Sequence, residues 1–287
     1  EFADYIGTTA AIGVANGTDA IELALRALDI GSDDEVITVS HTAVATVAAI
    51  ELAGAKPVLV DVEPEFYTLN PHQLEEVVTQ RTKAIIVVHL YGQPADLGLI
   101  VDFCNKNNLY LIEDCSQAHG AKYREQRLGS IGDIGCFSCY PTKNLGAIGD
   151  AGLITTNSAD IATKIRMLRE YGWKNRISEF SGRNSRLDEL QAAVLRIKLK
   201  YLDADNFKRC QLAEYYTNQL SELPIQLPTI RKKSESVFHL FVIQVGNRQA
   251  LLEYLKEEGI QAGVHYSVPV HLQPAYQDRI LTANDMS

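Results

Sequence analysis

Two patterns of apolar and polar positions alternate along this chain. Short, nearly unbroken apolar runs rich in β-branched residues recur at 11–15, 35–39, 57–62, 84–90, 109–113, 134–140 and 152–155. Between them, at 19–28, 43–53, 71–78, 98–105 and 159–170, the pattern is helical. The first kind reads as strands and the second as helices. Strands that lack a polar face are buried on both sides, which requires a largely parallel sheet flanked by helices. The first half of the chain is therefore predicted to be α/β.

From Ser185 a helical pattern begins and runs, with a kink expected, toward Leu220. Leu187, Leu190, Val194 and Ile197 mark its apolar stripe at three-to-four spacing. The breaker cluster 223–228 ends it. Beyond lie an expected strand at 238–245, a helix at 249–257 and a strand at 261–266. This predicts a large α/β domain over 1–184, a connecting helical segment over 185–222 and a smaller α+β domain over 223–287. Both ends look cut, because Glu1 enters structure-forming sequence directly and 283–287 stops without a closing element. A partial chain with an incomplete small domain is the expectation.

Composition narrows the class. The 287 residues are 46% hydrophobic and 22% charged, ordinary for a soluble globular protein. A net charge of -9 argues against a nucleic-acid binder. No apolar stretch approaches the roughly 18 residues of a membrane span, and no signal segment opens the chain. A cytoplasmic protein is expected. Five cysteines, an odd number lying mostly in apolar runs, read as reduced, buried thiols. Cys136 and Cys139 form a Cys-x-x-Cys, but with no second pair the reading is packing, and no metal is assigned.

Open parallel sheets bind ligands beyond the carboxyl ends of their strands. Three segments fall there. At 15–19, a strand meets a helix through Gly17 and Thr18, where free N–H groups favour an anion such as phosphate; an ordinary turn capped by Asn16 or Thr18 reads equally well from this segment alone. At 114–120, Asp114 ends a strand and is followed by Gln117 and His119. His119 reads as a structural histidine, since it has no positioned partner in sequence. At 137–143, Ser138 interrupts an apolar strand, and Pro141 and Thr142 turn the chain so that Lys143 points back over the sheet edge. A lysine and an aspartate on neighbouring strand ends suit pyridoxal phosphate: the amine can hold its aldehyde and the carboxylate its pyridinium nitrogen. Each residue alone is as readily an ordinary loop lysine or strand-end acid. Neither a P-loop nor a G-x-G-x-x-G follows the first strand, so those phosphate sites are rejected.

Taken in order, the strings at 15–20, 89–96, 113–121, 137–147, 184–193 and 265–276 closely resemble the DegT/DnrJ/EryC1/StrS aminotransferases. That resemblance implies a fold type I pyridoxal-phosphate enzyme acting as a homodimer with shared active sites. It implies amino transfer from an amino acid, chiefly glutamate, to a keto sugar carried on a nucleotide. By the same resemblance Lys143 matches the Schiff-base lysine, Asp114 the pyridinium partner and Gln117 the residue beside the ring's phenolic oxygen. Gly17, Thr18 and Ser138 match phosphate contacts, and Asn184 matches an asparagine that reaches the other subunit's phosphate, with Arg186 as a companion. At Ala43 the chain departs from the family, which often stacks an aromatic on the ring there. The N-terminal helix and longer C-terminal segment usual in the family are also missing from the given sequence. Sugar dehydratases of the family replace the lysine with histidine, so Lys143 argues against them. Amination of a cyclitol or other non-nucleotide ketone, and a non-catalytic sensor, stand as alternatives.

Overall fold

The computed structural model describes residues 1–277 and 279–283. Residues 284–287, part of the predicted open end, lie outside the described residues. In chain order, α1 (Phe2–Ile6) leads to β1 (Ala10–Val14), α2 (Gly17–Ala27), β2 (Glu35–Val39), α3 (Val44–Leu52) and β3 (Lys56–Val60). There follow α4 (Leu74–Val77), β4 (Thr82–Val88), α5 (Leu97–Asn107) and β5 (Tyr110–Asp114). Two short strands, β6 (Lys122–Tyr123) and β7 (Gln126–Arg127), precede β8 (Ile134–Ser138) and β9 (Gly152–Thr156). Then come α6 (Ala159–Leu168), the hairpin of β10 (Trp173–Lys174) and β11 (Ile177–Ser178), and the helices α7 (Glu189–Leu199) and α8 (Leu202–Leu220). The described chain closes with β12 (Ser234–Glu235), α9 (Arg248–Glu257) and β13 (Leu281–Thr282).

The main sheet runs β1-β9-β8-β5-β4-β2-β3-β13. Pairings among β13, β3, β2, β4, β5 and β8 are parallel, and β9 is antiparallel to both neighbours. Neighbouring residues on a strand enter opposite cores: Val36 against Ile37, Ala84 against Ile85, Cys136 against Phe137, Leu153 against Ile154. That is why the runs are apolar throughout, since each face of the sheet lies under its own hydrophobic layer. The predicted α/β sandwich is the observed fold.

Beyond the sheet, three expectations need correction. The 185–220 helix is two helices, broken at Lys200 and Tyr201, so the expected kink is a full interruption. Its predicted stripe meets the core only in part: Leu187 packs against it and Val194 is half-buried, but Leu190 is 76% and Ile197 61% exposed, and Leu195, off the stripe, is buried. The strands expected at 238–245 and 261–266 are not formed. A strand needs a ladder partner, and Gln226 offers the former only an isolated bridge at Gln244. Val237 and Leu240 instead bond to the backbone of Gly92 and Tyr91, and Arg209 holds the carbonyls of Phe238 and His239.

Candidate active site

The carboxyl ends of β1, β2, β4, β5 and β8 share one edge of the sheet. Register fixes who meets whom there. Asp114 pairs with Cys136, and Ser138 with Gly152, which in turn pairs with Val14. The end of β8 is thus brought beside the turn that opens α2.

At that turn the Asn16 side chain caps the helix by accepting from Asp19 N at 2.8 Å, and the Gly17 and Thr18 amides sit at the helix mouth outside this cap. A Cβ at Gly17 would lie 2.5 Å from Ser138 Cβ. Glycine is therefore required by close approach, and it lets the helix start and the Ser138 hydroxyl converge on one small volume. A phosphate suits this cradle of amides and hydroxyl.

Asp114 is buried, with both oxygens engaged: Thr46 Oγ1 donates to Oδ2 at 2.9 Å and Ser116 N to Oδ1 at 3.1 Å. Each oxygen keeps a further lone pair for a cationic ring nitrogen. The adjacent acid has a different task. Glu113 is fully buried and accepts from His89 Nε2 and from the amides of Gly129, Ile131 and Gly132. Burial pushes its pKa up, but these donors outweigh burial and hold it below the ordinary carboxylate value. His89, Glu113 and Cys115 place potential ligand atoms within 4.8 Å of one another. His89 Nδ1, however, accepts from Ala95 N, so Nε2 carries the proton given to Glu113. The cluster is a closed hydrogen-bond network.

Lys143 follows β8 in a turn closed by its own amide donating to Tyr140 O. Burial lowers its pKa, opposed by the nearby charges of Asp114 and Cys139. An amine with weakened hold on its proton beside a carboxylate is the electrostatic setting that acid-base and Schiff-base lysines need. Gln117 accepts from Tyr91 N at 2.7 Å and donates to Tyr266 Oη at 3.0 Å. His119 is fully buried, its pKa pushed down to about 3 first by burial and then by Lys143 and His239, and Cys139 Sγ lies 4.0 Å from its Nε2. Its structural reading fits. The Cys136 and Cys139 thiols are buried too, which raises their pKa values as packing thiols require.

Of the predicted residues, Gly17, Thr18, Asp114, Gln117, Ser138 and Lys143 thus gather on one edge. Asn184 does not join them: it is exposed, bridges Glu170 and accepts from Arg186 Nε. Its neighbours are anchored at the α2 turn, with Arg183 donating to Asp19 and Ser185 Oγ donating to Asp19 Oδ2 at 2.6 Å. At the departure position, Ala43 caps α3 without a side-chain bond. The His41 ring packs in T-shaped fashion with Tyr91 and Tyr266, and its Nε2 lies 2.7 Å from Tyr91 Oη.

Sequence reasoning missed Thr46 and Tyr91 as parts of this edge, whereas the 266–276 segment, with His271, reads from sequence as a substrate-facing stretch or a packed loop, and its Tyr266 does reach Gln117. Thr46 carried a signal, as a polar residue on the apolar face of a helix. Tyr91 carried none, because its role comes from a left-handed backbone (φ 60°) that aims its amide at Gln117.

An α/β sheet whose carboxyl edge joins an anion cradle, a buried acid and a half-buried lysine defines a fold type I transferase. All of residues 1–287 match the DegT/DnrJ/EryC1/StrS aminotransferase family, and the chain belongs to it. It is 50% identical over 279 residues to dTDP-3-amino-3,6-dideoxy-alpha-D-galactopyranose transaminase of Aneurinibacillus thermoaerophilus, covering 97% of this chain and 77% of the relative. It is 45% identical over 283 residues to UDP-N-acetyl-3-dehydro-alpha-D-glucosamine 3-aminotransferase of Acidithiobacillus ferrooxidans, covering 98% and 77%. Among solved structures, S. venezuelae DesV in complex with a ketimine intermediate superposes with a TM-score of 0.95 at 45% identity, over 97% of this chain and 76% of that one.

Proposed function

We propose that this aminotransferase moves an amino group from glutamate to carbon 3 of a keto hexose carried on a nucleoside diphosphate. The observation that carries the reading is that Asp114 closes β5 while Lys143 lies in the turn after the adjacent parallel strand β8, near enough for the acid's charge to act on the amine, with the Gly17–Ser138 cradle beside them. The choice of carbon 3 is supported by relatives named for chemistry at that carbon on both dTDP and UDP sugars.

Pyridoxal phosphate, when bound, supplies an electron sink and a carbonyl carbon that takes up and gives back the amino group. In this proposal the amides of Gly17 and Thr18 and the Ser138 hydroxyl hold its phosphate, and Asn184 reaches the phosphate of a second copy. Asp114 holds the ring nitrogen protonated, with Thr46 and Ser116 fixing the direction of its oxygens. Gln117 stands beside the phenolic oxygen. Lys143 anchors the cofactor at rest. With that amine freed, Lys143 would take the proton from the donor's α-carbon as a base and give it back as an acid, and would act in the reverse sense when the keto sugar is the partner. We place these groups in a large domain over 1–184, joined by a helical segment at 185–222 to a smaller unit at 223–287, in a cytoplasmic homodimer.

Adding pyridoxal phosphate and then glutamate, with absorbance followed, tests this. Glutamate is expected to bleach the cofactor's visible band in the wild type and to leave it unchanged in Lys143→Ala. Subsequent addition of a dTDP- or UDP-linked 3-keto hexose is expected to restore the band. A wild type that binds cofactor yet never responds to glutamate or another amino acid would sink the proposal.

A further inference from the structure

Directly behind Lys143 lies a hydrogen-bond chain that none of the assigned roles uses. Asn144 donates from Nδ2 to Asn206 Oδ1 at 2.9 Å and to Val237 O at 3.2 Å, while its Oδ1 lies 3.0 Å from His239 Nδ1. Asn206, buried in α8, donates from Nδ2 to His119 O at 2.8 Å. The chain so links the 117–119 turn, the residue after the lysine, and the segment that carries His239.

We infer that Asn144, Asn206 and His239 are positioning residues for Lys143, the two amides holding the imidazole as its neutral Nδ1–H tautomer and the three together fixing the lysine turn. The inference rests on the reading of Lys143 as the reactive amine.

The direction of each bond leaves one solution. The carbonyls of His119 and Val237 can only accept, which assigns Nδ2 of Asn206 to the first and Nδ2 of Asn144 to the second. Asn206 then turns its oxygen to Asn144, and Asn144 turns its own oxygen to His239. An oxygen cannot donate, so His239 Nδ1 must carry the proton. Holding Nδ1–H leaves Nε2 to gain a second proton only at the cost of a half-buried cation. Desolvation first, and then the positive charges of Lys143 and Arg209, oppose that and push the His239 pKa down to about 3. The chain also explains why Asn144 follows the lysine. Its side chain makes three contacts that bind the loop to α8 and to the 237–239 segment, and Lys198 Nζ adds a fourth tie at Gly146 O, 2.5 Å away. A loop left loose by loss of these ties would place the amine poorly, and poor placement costs rate more than binding.

Nitrogen-15 histidine labelling, read by NMR on protein without added cofactor, tests the tautomer, with the His239 signal identified by its loss in His239→Gln. The expected result is a proton on Nδ1, none on Nε2, and no titration around pH 6.5 where an ordinary histidine changes charge. Asn206→Ala is expected to mix the tautomers and to lower kcat for amino transfer by about tenfold to a hundredfold, with donor KM unchanged. His239→Gln, which can still donate to Asn144, is expected to keep most of the rate that His239→Leu loses. A proton on Nε2, ordinary titration of His239, or an Asn206→Ala variant with wild-type tautomer and rate would overturn the inference. If the wild type performed no amino transfer, the proposed function would fail, while the NMR result would still decide the hydrogen-bond chain.

Discussion

Thr46 shows how one hydroxyl orients the charge on which the site depends. It sits in the first turn of α3, fully buried, and gives its proton to Asp114 Oδ2. The carboxylate is then held by Thr46 on one oxygen and by the Ser116 amide on the other, so its remaining lone pairs point in set directions. Thr46→Val keeps the shape and removes that donor. A hydrogen bond to a charged group is worth about 1.5–3 kcal/mol. We expect cofactor binding to weaken by roughly tenfold to a hundredfold, measured by equilibrium titration of the cofactor's absorbance. Unchanged affinity would mean that Ser116 alone suffices to aim the acid.

At the level of elements, the cradle depends on two chain ends meeting more closely than side chains allow. In Gly17→Ala the new Cβ would stand 2.5 Å from Ser138 Cβ and 3.0 Å from its Cα, neither able to rotate away. The start of α2 must then move. Overpacking of this kind costs about 1–3 kcal/mol of stability, which chemical denaturation would report, and phosphate affinity should fall with it. Adding Ser138→Gly relieves the nearest contact, so it should return stability without returning affinity, because the hydroxyl is lost. Recovery of both would remove Ser138 from the cradle. The same elements mark how far the sequence could be read. Strands buried on both faces left unbroken apolar runs, so the parallel sheet and the residues at its carboxyl edge were legible, with resemblance to a family supplying their roles. What failed depended on partners distant in sequence. The runs at 238–245 and 261–266 had strand-like content but, among the described residues, no strand to pair with beyond the single Gln226–Gln244 bridge. The stripe of α7 had the right period, yet nothing in a period says which apolar face meets the core. Tyr91 and His239 joined the site through backbone turns and amide orientations that leave no mark in composition.

For the whole molecule, the exposed half of this stripe points to a second surface. Leu190 and Ile197 stand one above the other on α7, 76% and 61% exposed, and Ile148, 72% exposed, is tied to the same helix through its amide and Gln191. Apolar side chains grouped in this way on a chain of net charge -9 make a face suited to burial against another protein surface. Asn184 lies five residues before α7 and does not join Asp114 and Lys143 in its own chain, so a second copy seated on this face would give it a phosphate to reach. The homodimer we propose therefore makes a joint prediction. Wild-type protein should sediment at twice its 31.7 kDa mass, and Leu190→Asp with Ile197→Asp should sediment as a folded monomer. Because both positions are exposed in the single chain, the fold itself should lose little, within about 0.5 kcal/mol per site. Cofactor affinity should nevertheless fall, and Asn184→Ala in the unaltered dimer should reproduce that fall. A monomeric variant that binds cofactor as tightly as the wild type would show each chain to be complete by itself, and would leave the apolar face to some other partner.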